Sequence, residues 1–163
     1  MTNTYFLIGL IIAIVMLALV LGVFSLWART IMRALKGMDD AAFIKSFQAL
    51  DKAIVSSVFM VQFFAPVLVL GGLVWYAYSQ SMSGAGFVLA GFVLYLAAIV
   101  GTMAINVPLN DGLQKVDPAA DKESLARARK AFNEPRWMAG NALRTYVTLG
   151  AICCLSAALY LQL

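Results

Sequence analysis

Five side chains have the types and spacing to handle a planar, oxygen-bearing molecule. Asn106 and Asn110 stand four residues apart, and Trp137, Asn141 and Arg144 fall at i, i+4 and i+7. On helices each set lies along one face. An indole offers a stacking face, amides hydrogen-bond phenol or carbonyl oxygens, and a guanidinium stabilises an enolate or phenolate. The same residues also read as an interfacial belt, in which Trp and Arg anchor a helix end at the headgroups and Asn caps frayed turns. A base is harder to find. The chain has no His. Asp111, beside Asn110, is the carboxylate nearest in sequence, and a solvated Asp is a poor base at neutral pH.

Other chemistries lack their residues. The two cysteines, Cys153 and Cys154, are adjacent, so they form no Cys-x-x-Cys redox pair. On a helix they point about 100° apart. Without His, and with no carboxylate inside a membrane segment, no protein-ligated zinc, copper or haem is expected, and no cofactor is assigned. No Gly-rich phosphate loop and no Ser-His-Asp set is present. Proton-coupled export needs an ionisable group at mid-membrane, and none is there. Gln62, four residues before Pro66, is expected to fill the hydrogen bond that the proline frees. A net charge of +4 with no basic domain of its own gives no expectation of nucleic acid.

The elements that must position these residues follow from where charge is missing. The chain has 163 residues, 63% hydrophobic and 12% charged, with mean hydropathy +0.87. A soluble domain is closer to half apolar and a quarter charged. No charged side chain occurs in residues 1–28, 53–110 or 145–163. Spanning the hydrocarbon takes about 20 apolar residues per helix, and backbone in lipid must satisfy its own hydrogen bonds. The expected fold class is therefore all-α: an integral membrane four-helix bundle in one domain, residues 1–163. Its helices are placed at about 5–27, 54–78, 86–109 and 135–163, with charged loops at 29–52 and 111–144. The first run is too long for a secretory leader and lacks a basic segment before it, so it reads as a retained helix. Four crossings put both charged loops on one face. Lys and Arg bias that face to the cytoplasm, with both termini outside and the plasma or inner membrane as location.

The loops carry structure of their own. Asp39 can cap a helix on which Phe43, Phe47, Leu50 and Ile54 form one apolar face. This amphipathic helix lies in the interface or under the bundle, and its Phe47 and Gln48 are candidate substrate-binding residues. In the second loop, Leu125, Ala128 and Phe132 face inward and Arg127, Arg129 and Lys130 are solvated. Asn133-Glu134-Pro135 starts the last helix. Gly150, Cys154 and Ala158, and likewise Ala97 and Gly101, form small-residue stripes that let helices approach closely.

Three segments resemble a known family: MDDAAFIKSFQALDKAI from Met38 to Ile54, Asn106-Val107-Pro108-Leu109-Asn110, and RWMAGNALRT from Arg136 to Thr145. Together, in order and spacing, they are similar to the anthrone-oxygenase-like family of small four-helix membrane proteins. The chain differs from many members at the end of its first helix, where it has Trp27-Ala28-Arg29-Thr30-Ile31-Met32. The resemblance implies a cofactor-independent oxygenase that binds or oxidises lipophilic, anthrone-like aromatics. Its signature positions fall on Asn106, Asn110, Trp137, Asn141 and Arg144. Arg144, Asn141, Asn110 and Asp111 are then the catalytic candidates, and Trp137, Asn106, Phe47 and Gln48 the substrate-binding ones. The expected partners are the lipid bilayer, a lipophilic aromatic ligand, and a membrane protein partner or a second copy of the chain. A non-catalytic accessory subunit or lipid-binding protein is the alternative, and a small transporter a third.

Overall fold

In a computed structural model, which describes residues 4–55 and 57–163, the fold is all-α, with no strand among the described residues. Helix α1 (Thr4–Leu26) passes through a π turn, Trp27–Ile31, into the short α2 (Met32–Lys36). Then come α3 (Asp40–Ile54), α4 (Ser57–Ser79) and α5 (Ala85–Gly101). Helix α5 passes through a second π turn, Thr102–Asn106, into α6 (Val107–Gln114); α7 (Lys122–Phe132) and α8 (Glu134–Tyr160) follow. Four of these helical stretches are long and apolar enough to cross a membrane. They close a ring in which α1 touches α4 and α8, and α5 touches α4 and α8.

Helix α1 shows why the surroundings must be apolar. Phe6, Leu10, Ala13, Leu17, Val20 and Phe24, spaced four and three apart, form its buried seam, while Ile8, Ile11, Ile12, Val15 and Leu19 are exposed. A helix that is apolar all round belongs in lipid. There, burial of apolar surface does not drive association, so the bundle depends on close packing. The α5–α8 pair supplies it. A Cβ on Gly91 would stand 3.2 Å from Leu155, and one on Gly150 3.3 Å from Leu94. The face of α8 that packs is Thr148, Ala151, Leu155 and Ala158, one step round from the expected Gly150-Cys154-Ala158 stripe; Cys153 is exposed. Gly84, at φ 80°, turns α4 into α5 where a Cβ would lie 3.1 Å from the Ala158 backbone.

Pro66 lies inside α4, but Gln62 makes no hydrogen bond there. It is the Tyr95 hydroxyl that donates to the Phe63 carbonyl, at 2.7 Å, one residue along from the carbonyl that the proline leaves bare.

A second core caps one end of the bundle. Met32, Leu35, Phe43, Ile44, Phe47, Leu113, Leu125 and Phe132 are buried there together with Trp27 and Trp137. This cap lies beside charged loops. There the hydrophobic effect operates, at about 1.5–3 kcal/mol for each large apolar side chain fully buried. The side chain of Asp39 accepts from the N–H of Ala42 at 2.9 Å and starts α3. That of Asp121 accepts from the N–H of Ser124 at 3.0 Å and starts α7. Asn133, at φ 52°, ends α7 and accepts from the N–H of Arg136 at 3.1 Å to start α8.

Two expectations change in the cap. The buried face of α3 is Phe43, Ile44, Phe47 and Asp51, because Leu50 turns outward and leaves the inward position to a carboxylate. Arg129 is not solvated. Its guanidinium pairs with Glu134 at 2.9 Å and Asp40 at 3.1 Å, donates to the carbonyls of Met38 and Lys36, and lies 4.3 Å above the Phe43 ring. It ties the α2–α3 turn to the α7–α8 turn.

Candidate functional site

Between the two cores lies a band of buried polar side chains: Asp51, Thr102, Asn106, Asn141, Arg144 and Thr148. Both π turns end or begin at this level. The N–H of Met32 reaches back five residues to the Trp27 carbonyl, and that of Val107 to the Thr102 carbonyl. Such turns are rare and occur often at functional sites. Here one presents Trp27 and the other Asn106. Pro108 is accommodated just after the second turn, in the first turn of α6, where a missing N–H costs little. The helix therefore continues to Gln114 rather than ending near Leu109.

Asn110 is the centre of one hydrogen-bond chain. Its Oδ1 accepts from the indole Nε1–H of Trp137 at 2.7 Å, and its Nδ2 donates to Asp51 Oδ1 at 2.7 Å. An indole N–H can only donate, so the orientation of the amide follows. Gln114 Nε2 donates to Asp51 Oδ2 at 3.0 Å and to the Gln48 carbonyl at 3.1 Å. Burial pushes the Asp51 carboxyl above its ordinary value of 3.8, with nearby Asp111 adding to the rise. The bonds from Gln114 and Asn110 and the field of Arg144 pull it back.

Arg144 is the centre of the other. Its Nε and Nη2 donate to Asn141 Oδ1 at 2.9 and 2.7 Å, and Asn141 Nδ2 donates to the Phe24 carbonyl at 3.1 Å. The guanidinium carbon lies 4.4 Å from the Phe24 ring centre and 5.4 Å from that of Trp137. Arg144 is only 7% exposed and makes no direct ion pair. A guanidinium has five N–H donors, so most of its donors are uncommitted. Asn106 Nδ2 donates to the Trp137 carbonyl at 3.0 Å, while its buried Oδ1 has no partner.

All five residues of the two sequence patterns thus meet at one level. Phe47 joins them through its ring, 6.1 Å from Trp137 and 5.4 Å from Trp27. Gln48 is engaged elsewhere, donating to the carbonyls of Leu113 and Val116 at the end of α6. Asp111 is exposed, because it sits on the outer face of α6, and the carboxylate that meets Asn110 is Asp51. The sequence reading missed Asp51, Gln114, Trp27 and Phe24. Asp51 carried a signal: it follows Ile44 and Phe47 at seven and four residues, on their face. Among the described residues no group of three or more His, Cys, Asp or Glu is placed to hold a metal.

Fold and site together define a helical membrane bundle with a buried charged and aromatic centre under a folded cap. The chain belongs to the anthrone oxygenase family, whose sequence profile matches residues 56–154, more than half its length. That stretch holds Asn106, Asn110, Trp137, Asn141 and Arg144. No curated protein and no solved structure matches the chain.

Proposed function

We propose that this protein is a membrane-embedded oxygenase that takes lipophilic planar aromatics of the anthrone type and needs no cofactor of its own. The observation that carries the reading is Arg144: a buried guanidinium with uncommitted donors, no ion pair, and two ring faces beside it. Asp51 acts on it only through space, with no direct pair between the two, and a buried charge without a direct partner is costly. An anionic guest would relieve that cost.

In this reading Asp51 is the base in place of Asp111, since burial raises it toward the range useful at neutral pH. It takes a proton from the ring methylene of the anthrone. The electron pair moves to the carbonyl oxygen, where Arg144 donates to the oxyanion and Asn141 holds the guanidinium in position. Trp137 and Phe47 provide the ring faces, and Asn106 Oδ1 accepts from a phenol hydroxyl. Molecular oxygen takes one electron from the carbanion, and the radical pair joins to form a carbon–oxygen bond. The peroxide anion takes the proton back from Asp51, and the resulting hydroperoxide loses water to give the quinone. The balance is one anthrone and one O2 to one anthraquinone and one water. The positive-inside bias puts the cap at the cytoplasmic surface of the plasma or inner membrane, with both termini outside.

A second reading has its own observation. Asp51, Asn110, Trp137 and Gln114 satisfy one another, as a lock between cap and bundle would. That suits a non-catalytic accessory subunit, or a lipid-binding protein, paired with a second copy of the chain or with a membrane protein partner. Oxygen uptake by the purified protein decides between them. The oxygenase consumes one O2 per anthrone, and Arg144→Gln lowers turnover by about a hundredfold or more at unchanged expression. No uptake with any anthrone, together with a stoichiometric membrane protein that co-purifies, overturns the oxygenase reading.

A further inference from the structure

On the bundle's flank, where α1 ends, lies an open cleft of about 1220 Å³. One wall is the first π turn and α2, with Arg29, Arg33 and Lys36; the other is α7, with Lys130. These four cations are exposed, and among the described residues their side chains make no hydrogen bond or ion pair. The two carboxylates of the cleft, Asp40 and Glu134, are both taken by Arg129. The lining therefore holds five cations against two anions, and the acids cannot neutralise the free four. Ala28, Met32 and Met138 give the cleft an apolar side. Arg29 lies within one helical turn of Leu26, the last residue of the charge-free α1. The cleft thus opens at the depth where hydrocarbon gives way to lipid phosphates.

We propose that this cleft binds the phosphate headgroup of one anionic membrane lipid, with the glycerol and upper acyl carbons resting on Ala28, Met32 and Met138. The ligand chemistry is a phosphodiester anion held from two sides by guanidinium and ammonium groups. Basic pockets between helices at this depth take anionic headgroups elsewhere. The apolar side favours a lipid over a soluble phosphate, which would leave those surfaces in water.

Native mass spectrometry of the full chain, released from detergent with added phosphatidylglycerol or phosphatidylcholine, tests this. One phosphatidylglycerol per chain is expected to stay bound, and phosphatidylcholine is not. The variant Arg29→Gln/Arg33→Gln/Lys36→Gln should weaken retention by about tenfold or more. The charge-matched variant Lys45→Gln/Lys115→Gln/Lys122→Gln, on exposed positions outside the cleft, should retain the lipid as the parent does. Lys130→Gln, a single exposed change on the opposite wall, should weaken it as well. Equal loss in both triple variants would show attraction by net charge alone and overturn the proposal. Equal retention of phosphatidylcholine would overturn it too. Displacement of the lipid by millimolar inorganic phosphate would assign the cleft to a soluble anion instead.

Discussion

Asp51 and Arg144 lie inside the molecule, each 7% exposed, and no ion pair joins them directly. Each spends its hydrogen bonds on neutral amides instead. Asp51 therefore carries a testable pH dependence. Its folded carboxyl titrates above 3.8, chiefly through burial, so the folded state binds the proton more tightly than the unfolded chain. The resulting stability is complete below that unfolded value and is lost as pH rises through the raised one. Thermal melts of the parent should fall relative to Asp51→Asn as pH rises across that window; a relative gain would contradict the assignment. If Asp51 is the base, turnover should fall as the solution is acidified through the same window. The sequence disclosed Arg144, Asn141, Trp137, Asn106 and Asn110 because helical spacing alone aligns them. It hid Asp51, because a carboxylate on an amphipathic helix is ordinarily solvated and Leu50 completes a plausible apolar face without it.

The elements locate the site through two departures from regular helix. The π turns at Trp27–Ile31 and Thr102–Asn106 have no signature in hydropathy; the span expected at 5–27 stops where the first turn begins, and that at 86–109 runs through the second and stops three residues after it. The helices run on to Lys36 and Gln114, since the ladder re-forms after each turn. Close approach also fixes the geometry. A Cβ on Gly140 would stand 2.6 Å from Ile105 Cγ2 and 2.8 Å from Asn106 Oδ1. Gly140→Ala must push the second π turn off α8, at a cost of about 1–3 kcal/mol from overpacking. Gly150→Ala, facing a movable Leu94 side chain at 3.3 Å, should cost less. Denaturation of both variants in detergent checks the order, and equal stability would mean that the second π turn and α8 are not in contact at Gly140. The cap at Asp39 and the helix start at Asn133 were legible in sequence because they act locally; the cap at Asp121 was not picked out. Arg129 was not, since its partners lie about 90 residues away in Asp40 and Met38.

At the scale of the whole molecule, charge separation sets the topology. Four apolar helices and a charged cap were readable from composition, because lipid imposes a length and a polarity that few other sequences meet. Which ring neighbours the helices would have, and that the loops would fold into a second core, depended on long-range packing. Single cysteines at Ser81 and Ala120, in a background lacking Cys153 and Cys154, should react from opposite sides, with Ala120 protected in intact cells. Labelling of Ala120 by an impermeant reagent there would reverse the orientation. In the proposed chemistry Asp51 draws a proton from an aromatic methylene and Arg144 holds the resulting anion. Anaerobic mixing of the purified protein with anthrone, followed by absorbance, separates that step from oxygen chemistry. The anthrone anion should accumulate on the parent protein at a pH where it does not form in solution, and Asp51→Asn and Arg144→Gln should each abolish it. Absence of the anion on the parent, or its undiminished formation in Asp51→Asn, would rule that chemistry out.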